Sequence, residues 1–459
     1  MEAEVVYLCK RTAVSSLSMW PGELRRLSVL DCTMEPYSLR AVYYYPRCPP
    51  TAGTISKLKE SLAELLNTYR PVAGRLHRTA EGRWAIKCNE AGVRMVEATA
   101  KGSVEEWLQK VERAQEMKLI FWEDMYRRSD FWSTFYIQLT QFERGGLAIG
   151  ISCAHMQADA ACLSALVTAW ADMNLLGKML SPPCFHPLPP PRVGGSPTRQ
   201  HSPSRPLVDH YASSMESEIH ETGRFATATF AFSDETVKSI LAEAQVAGDS
   251  TTSPRVFAAL AALFWAAVSR AKGKDHGLVD MAVCMDAREV LNLSKSFFGN
   301  AMVFAGVRGG EIGGGRLEAA AKAIADATKA IDYEGVTDLM EWLDSRTSEE
   351  ETGGPALMLC SRRLLCANWE GLDPHLATFE QGVGPIHVSY YLEPVTGEGQ
   401  ILVLPSPRGE KTLGRVVAVT LPEAQLGRLR VDGHILGYQT KTHPNDPEQG
   451  QHLKADART

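Results

Sequence analysis

Ile149-Gly-Ile-Ser-Cys-Ala-His155-Met-Gln-Ala-Asp159 is the stretch from which this chain is best read. Its first six residues are small or β-branched and form a run suited to a buried strand. From Ala160 onward, Leu163, Leu166, Val167 and Trp170 recur at the i, i+3, i+4, i+7 spacing of an amphipathic helix. His155 therefore falls at a strand-to-helix corner, a place that puts a side chain at the mouth of a cleft. An imidazole there titrates near neutrality and can take a proton from a hydroxyl or an amine. Asp159 opens the helix. By itself the H-x-x-x-D spacing is weak, because any long chain produces it by chance. The bland reading is a solvated histidine and an acid favoured by the helix dipole.

Outward from this corner the chain alternates strands and helices. Residues 135–140 and 147–153 are strand-like runs joined by Glu143-Arg144-Gly145-Gly146, which predicts a hairpin. Residues 41–45 read as a strand, and residues 55–69 as a helix with Leu58, Leu62, Leu65 and Leu66 on one face. In the second half, residues 225–232 form a strand and Ser233 caps a helix bearing Val237, Ile240 and Leu241. Ser253-Pro254 opens an apolar helix that runs to Val268. Residues 279–285, 386–392, 401–404 and 415–421 read as further strands. Between the halves, residues 181–206 carry nine prolines, which bars a helix or a central strand. The pattern predicts an α/β protein of two domains, residues 1–180 and 207–440, with 181–206 as the connection and 441–459 as a polar tail.

Composition sets the outer bounds. The 459 residues are 44% hydrophobic and 22% charged, ordinary for a globular protein and too long for one core. Lys plus Arg is 48 against 54 for Asp plus Glu, so no bulk charge draws the chain to nucleic acid. No run approaches ~18 apolar residues, the length a transmembrane helix needs. The first residues lack the apolar stretch of a secretory signal, and the ten cysteines include no C-x-x-C pair, which points to a reducing cytoplasmic setting. No metal is expected: the twelve histidines are dispersed, and His186 and His201 fall in the proline-rich connection. No phosphate-cradling loop is present.

Several stretches taken together resemble one family. Leu27-Ser28-Val29-Leu30-Asp31, Tyr69-Arg-Pro-Val-Ala-Gly74-Arg75-Leu76, the 138–159 segment, Met285-Asp286-Ala287-Arg288 and Phe298-Gly299-Asn300 span almost the whole chain. On these the protein is identified as a member of the plant BAHD acyltransferases, which move acyl groups from coenzyme A thioesters to alcohols or amines. The resemblance implies two similar chloramphenicol-acetyltransferase-like α/β domains with a channel between them. It implies His155 as general base, Asp159 turned away from substrate and paired with Arg288, and Gly299 and Asn300 beside the channel. It implies no tightly bound cofactor, with acyl coenzyme A arriving as a substrate.

One signature departs from the family. Where the pattern is D-F-G-W-G, this chain reads Glu380-Gln381-Gly382-Val383-Gly384, keeping both glycines and losing the aromatic pair. The missing indole predicts a looser cleft or weaker stabilisation of a tetrahedral oxyanion. An intact first motif with a degraded second resembles the eceriferum and glossy wax branch, as do residues 40–44, 93–98 with Trp107, 141–147 and 399–405. That branch supports very-long-chain fatty acid elongation. The implied partner is the condensing enzyme (ketoacyl-CoA synthase) of the elongase, and the implied place is the cytoplasmic face of the endoplasmic reticulum or the cytosol. Three readings result: an accessory factor for elongation, an active O- or N-acyltransferase, and an inactive relic with a binding role.

Overall fold

The computed structural model describes residues 6–18, 22–46, 52–80, 82–123, 132–189, 205–215, 223–245, 255–273, 277–312, 316–349, 362–407 and 413–439. Most of the proline-rich connection, Ser253-Pro254 and the polar tail lie outside the described residues.

The strand Leu147–Ala154 is buried at all eight positions, which is why its sequence is a continuous apolar run instead of an alternation. It lies inside a six-stranded mixed sheet, antiparallel to Phe135–Phe142 on one side and to Ser38–Tyr45 on the other. The hairpin turn sits at Gly145 and Gly146, whose φ values of 110° and 98° belong to conformations that favour glycine. The edge beyond Phe135–Phe142 is completed by Val93–Ala100 and Val6–Val14. A second six-stranded sheet orders Phe225–Phe232, Arg415–Pro422, Gln400–Pro405, Leu364–Asn368, Met281–Asp286 and Met302–Val307. The helix Val256–Ala271 packs on it, buried at nearly every position. Its N-cap is Arg255, which makes no side-chain cap.

The two halves of the sequence do not divide the sheets cleanly. His387–Glu393, from the C-terminal half, is the outer strand of the N-terminal sheet and pairs antiparallel with Ser38–Tyr45. Three consecutive tyrosines explain the crossing. The Tyr43 and Tyr390 hydroxyls meet at 3.0 Å, and Tyr45 donates to the Ala377 carbonyl at 2.8 Å. Tyr44 donates to the buried Glu116 at 2.6 Å, and Tyr391 of the crossing strand donates to the same carboxylate. Without that strand the Ser38–Tyr45 edge would expose an unpaired ladder and buried tyrosines. The boundary expected at 181–206 is thus a boundary of the chain and not of the sheets.

A four-stranded sheet of Glu23–Arg26, Trp84–Cys88, Arg75–Arg78 and Trp132–Ser133 has no counterpart in the sequence reading. Its Leu76, Trp84 and Ile86 pack on Ala154 and Met156, closing one side of the strand-to-helix corner. On the other side the helix Ala160–Leu176 lies against the helix Ala52–Leu66, with the Trp170 indole donating to the Leu58 carbonyl and Ser61 hydroxyl, both at 3.1 Å. The helix expected over 55–69 ends at Leu66, and a separate turn, Arg70–Ala73, follows with Pro71 near its start. The main apolar cluster runs without a break from these helices to Phe298, Met302 and Trp369 of the other half.

Gly150, at the middle of the central strand, has no room for a side chain: a Cβ there would lie 1.9 Å from the Leu119 carbonyl oxygen. Gly150→Ala should therefore destabilise the fold by about 1–3 kcal/mol or more through overpacking. Urea unfolding measures this directly, and an unchanged midpoint would refute the packing described.

Candidate functional site

The strand carrying Ile149 and Ile151 ends at Ala154, and the chain turns through residues 155–157 before Asp159 caps the helix Ala160–Leu176. The Asp159 carboxylate accepts the Cys162 amide at 3.0 Å, the local hydrogen bond expected of an N-cap. The same carboxylate receives Nη2 of Arg288 at 2.8–2.9 Å and the Ala301 amide at 3.1 Å. Asp159 is fully buried and the Arg288 side chain is 6% exposed. The ion pair thus joins the first helix of the motif to the loop after the strand Met281–Asp286.

Arg288 does more than pair. Its Nη2 also reaches the Phe297 and Gly299 carbonyls at 3.2 and 3.1 Å, and its Nη1 meets Asp286 at 3.0 Å. Burial works against its charge, but Asp159, Cys162 and Asp286 outweigh that penalty and raise its pKa above the ordinary arginine value. The arginine therefore keeps its charge inside the junction.

Asn300 and Gly299, expected beside a channel, are tied into the same junction. Asn300 is fully buried. Its side-chain amide donates to Asp31 at 2.9 Å and to the His155 carbonyl at 2.7 Å, and its backbone amide donates to Asp31 at 2.8 Å. Gly299 donates to the Cys162 sulfur at 3.2 Å, and a Cβ on it would press on the Phe297 ring at 3.0 Å. Its small size serves packing against Phe297. Asp31 and Cys162 are junction residues that the motif reading missed. The signal for Asp31 was present, since Ser28-x-x-Asp31 is a capping box: each side chain accepts the other's backbone amide.

His155 sits at the expected corner but not at an open mouth. It is 3% exposed, held by its backbone between the Tyr37 carbonyl at 3.0 Å and the Asn300 amide. Its Nδ1 is buried without a hydrogen-bond partner. Burial lowers its pKa below the usual histidine value; its own carbonyl, Asp159, Asn300 and Asp31 oppose this without reversing it. The imidazole is consequently neutral at physiological pH, the form that can accept a proton.

Glu380, Gly382 and Gly384 lie elsewhere. The Val383 amide bonds the Glu380 carbonyl at 2.9 Å around Gly382, whose φ is 73°. The turn is fastened to the C-terminal part of the helix Ala160–Leu176. Asn174 donates to the Phe379 carbonyl at 2.8 Å, and the Phe379 ring meets Trp170 edge-on at 4.9 Å. From Asp159 to Asn174 the helix rises about 22 Å. An oxyanion donor must lie within about 3 Å of the reacting oxygen, so this turn cannot supply one at His155. The oxyanion role considered for it is corrected on that distance.

These features agree with what the chain resembles. The model of the Transferase family matches residues 4–434. The chain belongs to that family, the BAHD acyltransferases. Protein ECERIFERUM 26 of Arabidopsis thaliana is 25% identical over 418 residues, 88% of this chain and 89% of that protein. Protein ECERIFERUM 26-like of the same plant is 33% identical over a shorter 171 residues, 37% of this chain and 41% of that one. Rosmarinate synthase of Plectranthus scutellarioides is 26% identical over 90% of this chain and 94% of that enzyme. Among solved structures, vinorine synthase superposes with a TM-score of 0.67 at 19% identity, covering 94% of this chain and 98% of that one. F. graminearum TRI101 with coenzyme A and deoxynivalenol gives 0.70 at 16% identity, covering 91% and 99%. The fold is the α/β acyltransferase fold of the chloramphenicol-acetyltransferase kind.

Two outcomes follow from this geometry. Asp159→Ala leaves the buried Arg288 with the half-exposed Asp286 as its remaining counter-charge and should cost about 3 kcal/mol, whereas His155→Ala strands no buried charge and should cost far less. Equal melting temperatures for the two variants would contradict these roles. Acid should also weaken the fold. His155 and His210, the latter pushed down to about 3 by burial and Arg363, resist protonation in the folded state. The unfolded chain takes up those protons below about pH 6.5, so stability falls as pH drops from 7 toward 5. His155→Gln should shrink that fall in melting temperature, and an identical pH slope would overturn the assignment.

Proposed function

We propose that this protein supports the elongation of very-long-chain fatty acids for cuticular wax, acting beside the condensing enzyme (ketoacyl-CoA synthase) of the elongase at the cytoplasmic face of the endoplasmic reticulum. The carrying observation is the contrast between the two ends of the helix Ala160–Leu176. At its start, Asp159, Arg288 and Asn300 bind the two halves together, so the presence of these motif residues needs no chemistry to explain it. At its end, the turn Glu380–Val383 lacks the aromatic pair of the family pattern. Similarity over most of the chain to ECERIFERUM 26 and ECERIFERUM 2 supports the same reading. Among the described residues no helix is long and apolar enough to cross a membrane, so attachment to a membrane-bound elongase would run through a protein contact or the membrane surface.

One observation favours a second reading, acyl transfer from acyl coenzyme A. The His155 imidazole stands at the strand-to-helix corner and is kept neutral by burial, the form that can accept a proton. In that reading the neutral imidazole removes the proton of an acceptor hydroxyl or amine as it attacks the thioester carbonyl. The C–S bond then breaks, and the imidazolium returns the proton to the departing thiolate.

The experiment is co-expression with a condensing enzyme in cells that lack waxes, followed by a fatty-acid profile at matched protein levels. The accessory role predicts that His155→Ala extends chains about as far as the unaltered protein does. Loss of the longer chains by a normally folded His155→Ala would transfer the function to acyl transfer, where removing a general base costs about 10²–10⁴-fold in rate.

A further inference from the structure

A cavity of about 190 Å³ opens at the far end of the helix Ala160–Leu176, between that helix, the helix Ala52–Leu66 and the N-terminal sheet. His155 does not line it. Ile149, which does, lies five residues, about 17 Å, before the end of its strand at Ala154, and His155 follows at the corner beyond. We infer that this cavity binds the tail of a straight alkyl chain, as a site separate from the His155 corner.

The lining dictates an apolar occupant. Leu58, Leu147, Ile149 and Val383 supply branched aliphatic walls. The polar groups that reach inward are already used. The Tyr45 hydroxyl donates to the Ala377 carbonyl, and the Asn174 side chain bonds Ser61 and the Phe379 carbonyl. Nothing inside is left to orient a polar head. The charged residues, Lys57 and Glu380, are exposed at the rim, where a head group would stay in water. A cavity of about 190 Å³ exceeds the ~150 Å³ of an apolar cavity known to hold benzene. At roughly 30 Å³ per methylene-sized group, the liquid share of one water, it takes about six carbons. The preference for a straight chain over a ring rests on the acyl-lipid reading above, whereas the site itself rests on volume and lining alone.

Calorimetric titration of the full chain with sodium butanoate, hexanoate, octanoate and decanoate tests this. Affinity should rise about fourfold per added methylene and level off once about six carbons are buried. Val383→Trp should fill the cavity and weaken octanoate at least tenfold with an unchanged melting temperature. Thr54→Trp, entering from the facing helix, should do the same and serves if the first variant misfolds. Overturning results are affinity independent of chain length, octanoate binding by folded variants equal to the unaltered protein, or benzoate binding tighter than heptanoate. Because this readout is binding to purified protein, its failure is distinguishable from failure of the elongation role, which is read in the cellular fatty-acid profile.

Discussion

The buried contact between Asp159 and Arg288 is the constraint on which the rest of the site depends. A carboxylate with no solvent access must be neutralised, and Arg288 does so from the other half of the chain. The guanidinium, once drawn inward, needs further acceptors, which the Phe297 and Gly299 carbonyls provide. That positions Asn300 over the His155 carbonyl and ties both to Asp31. The fixed orientation of the His155 backbone is a consequence of this chain of contacts.

The same contacts separate structural from chemical meaning in the motif. Asp159 and Arg288 join the two halves of the chain whether or not any reaction occurs. His155, by contrast, carries no charge that the junction needs, and burial keeps its imidazole neutral. The helix Ala160–Leu176 then places about 22 Å between this corner and the turn where the second family signature is altered. Changes at Glu380–Val383 can therefore reshape a surface cavity while leaving the His155 corner intact.

Much of this was legible in the sequence. Leu147–Ala154 and Ala160–Leu176 announced themselves because a fully buried strand and a capped helix leave plain local patterns. The Asp159–Arg288 pair rested on resemblance, because 129 residues separate the partners and no local rule joins them. The crossing strand His387–Glu393 was read as a strand, yet its place beside Ser38–Tyr45 was not, since partner choice is fixed by tyrosine contacts across the whole chain. The burial of His155 also escaped, because Asn300, which holds its carbonyl, comes from 145 residues away in the chain.

The central claim is that the Asp159–Arg288 contact fastens the two halves as an interdependent pair. A double-mutant cycle on stability, using Asp159→Ala, Arg288→Met and both together, tests it most directly. If the account holds, the double variant is destabilised by less than the two single losses added, with a coupling of roughly 1–3 kcal/mol, because removing both charges spares the cost of stranding either one. Simple additivity would mean that the two residues act independently and would contradict the account.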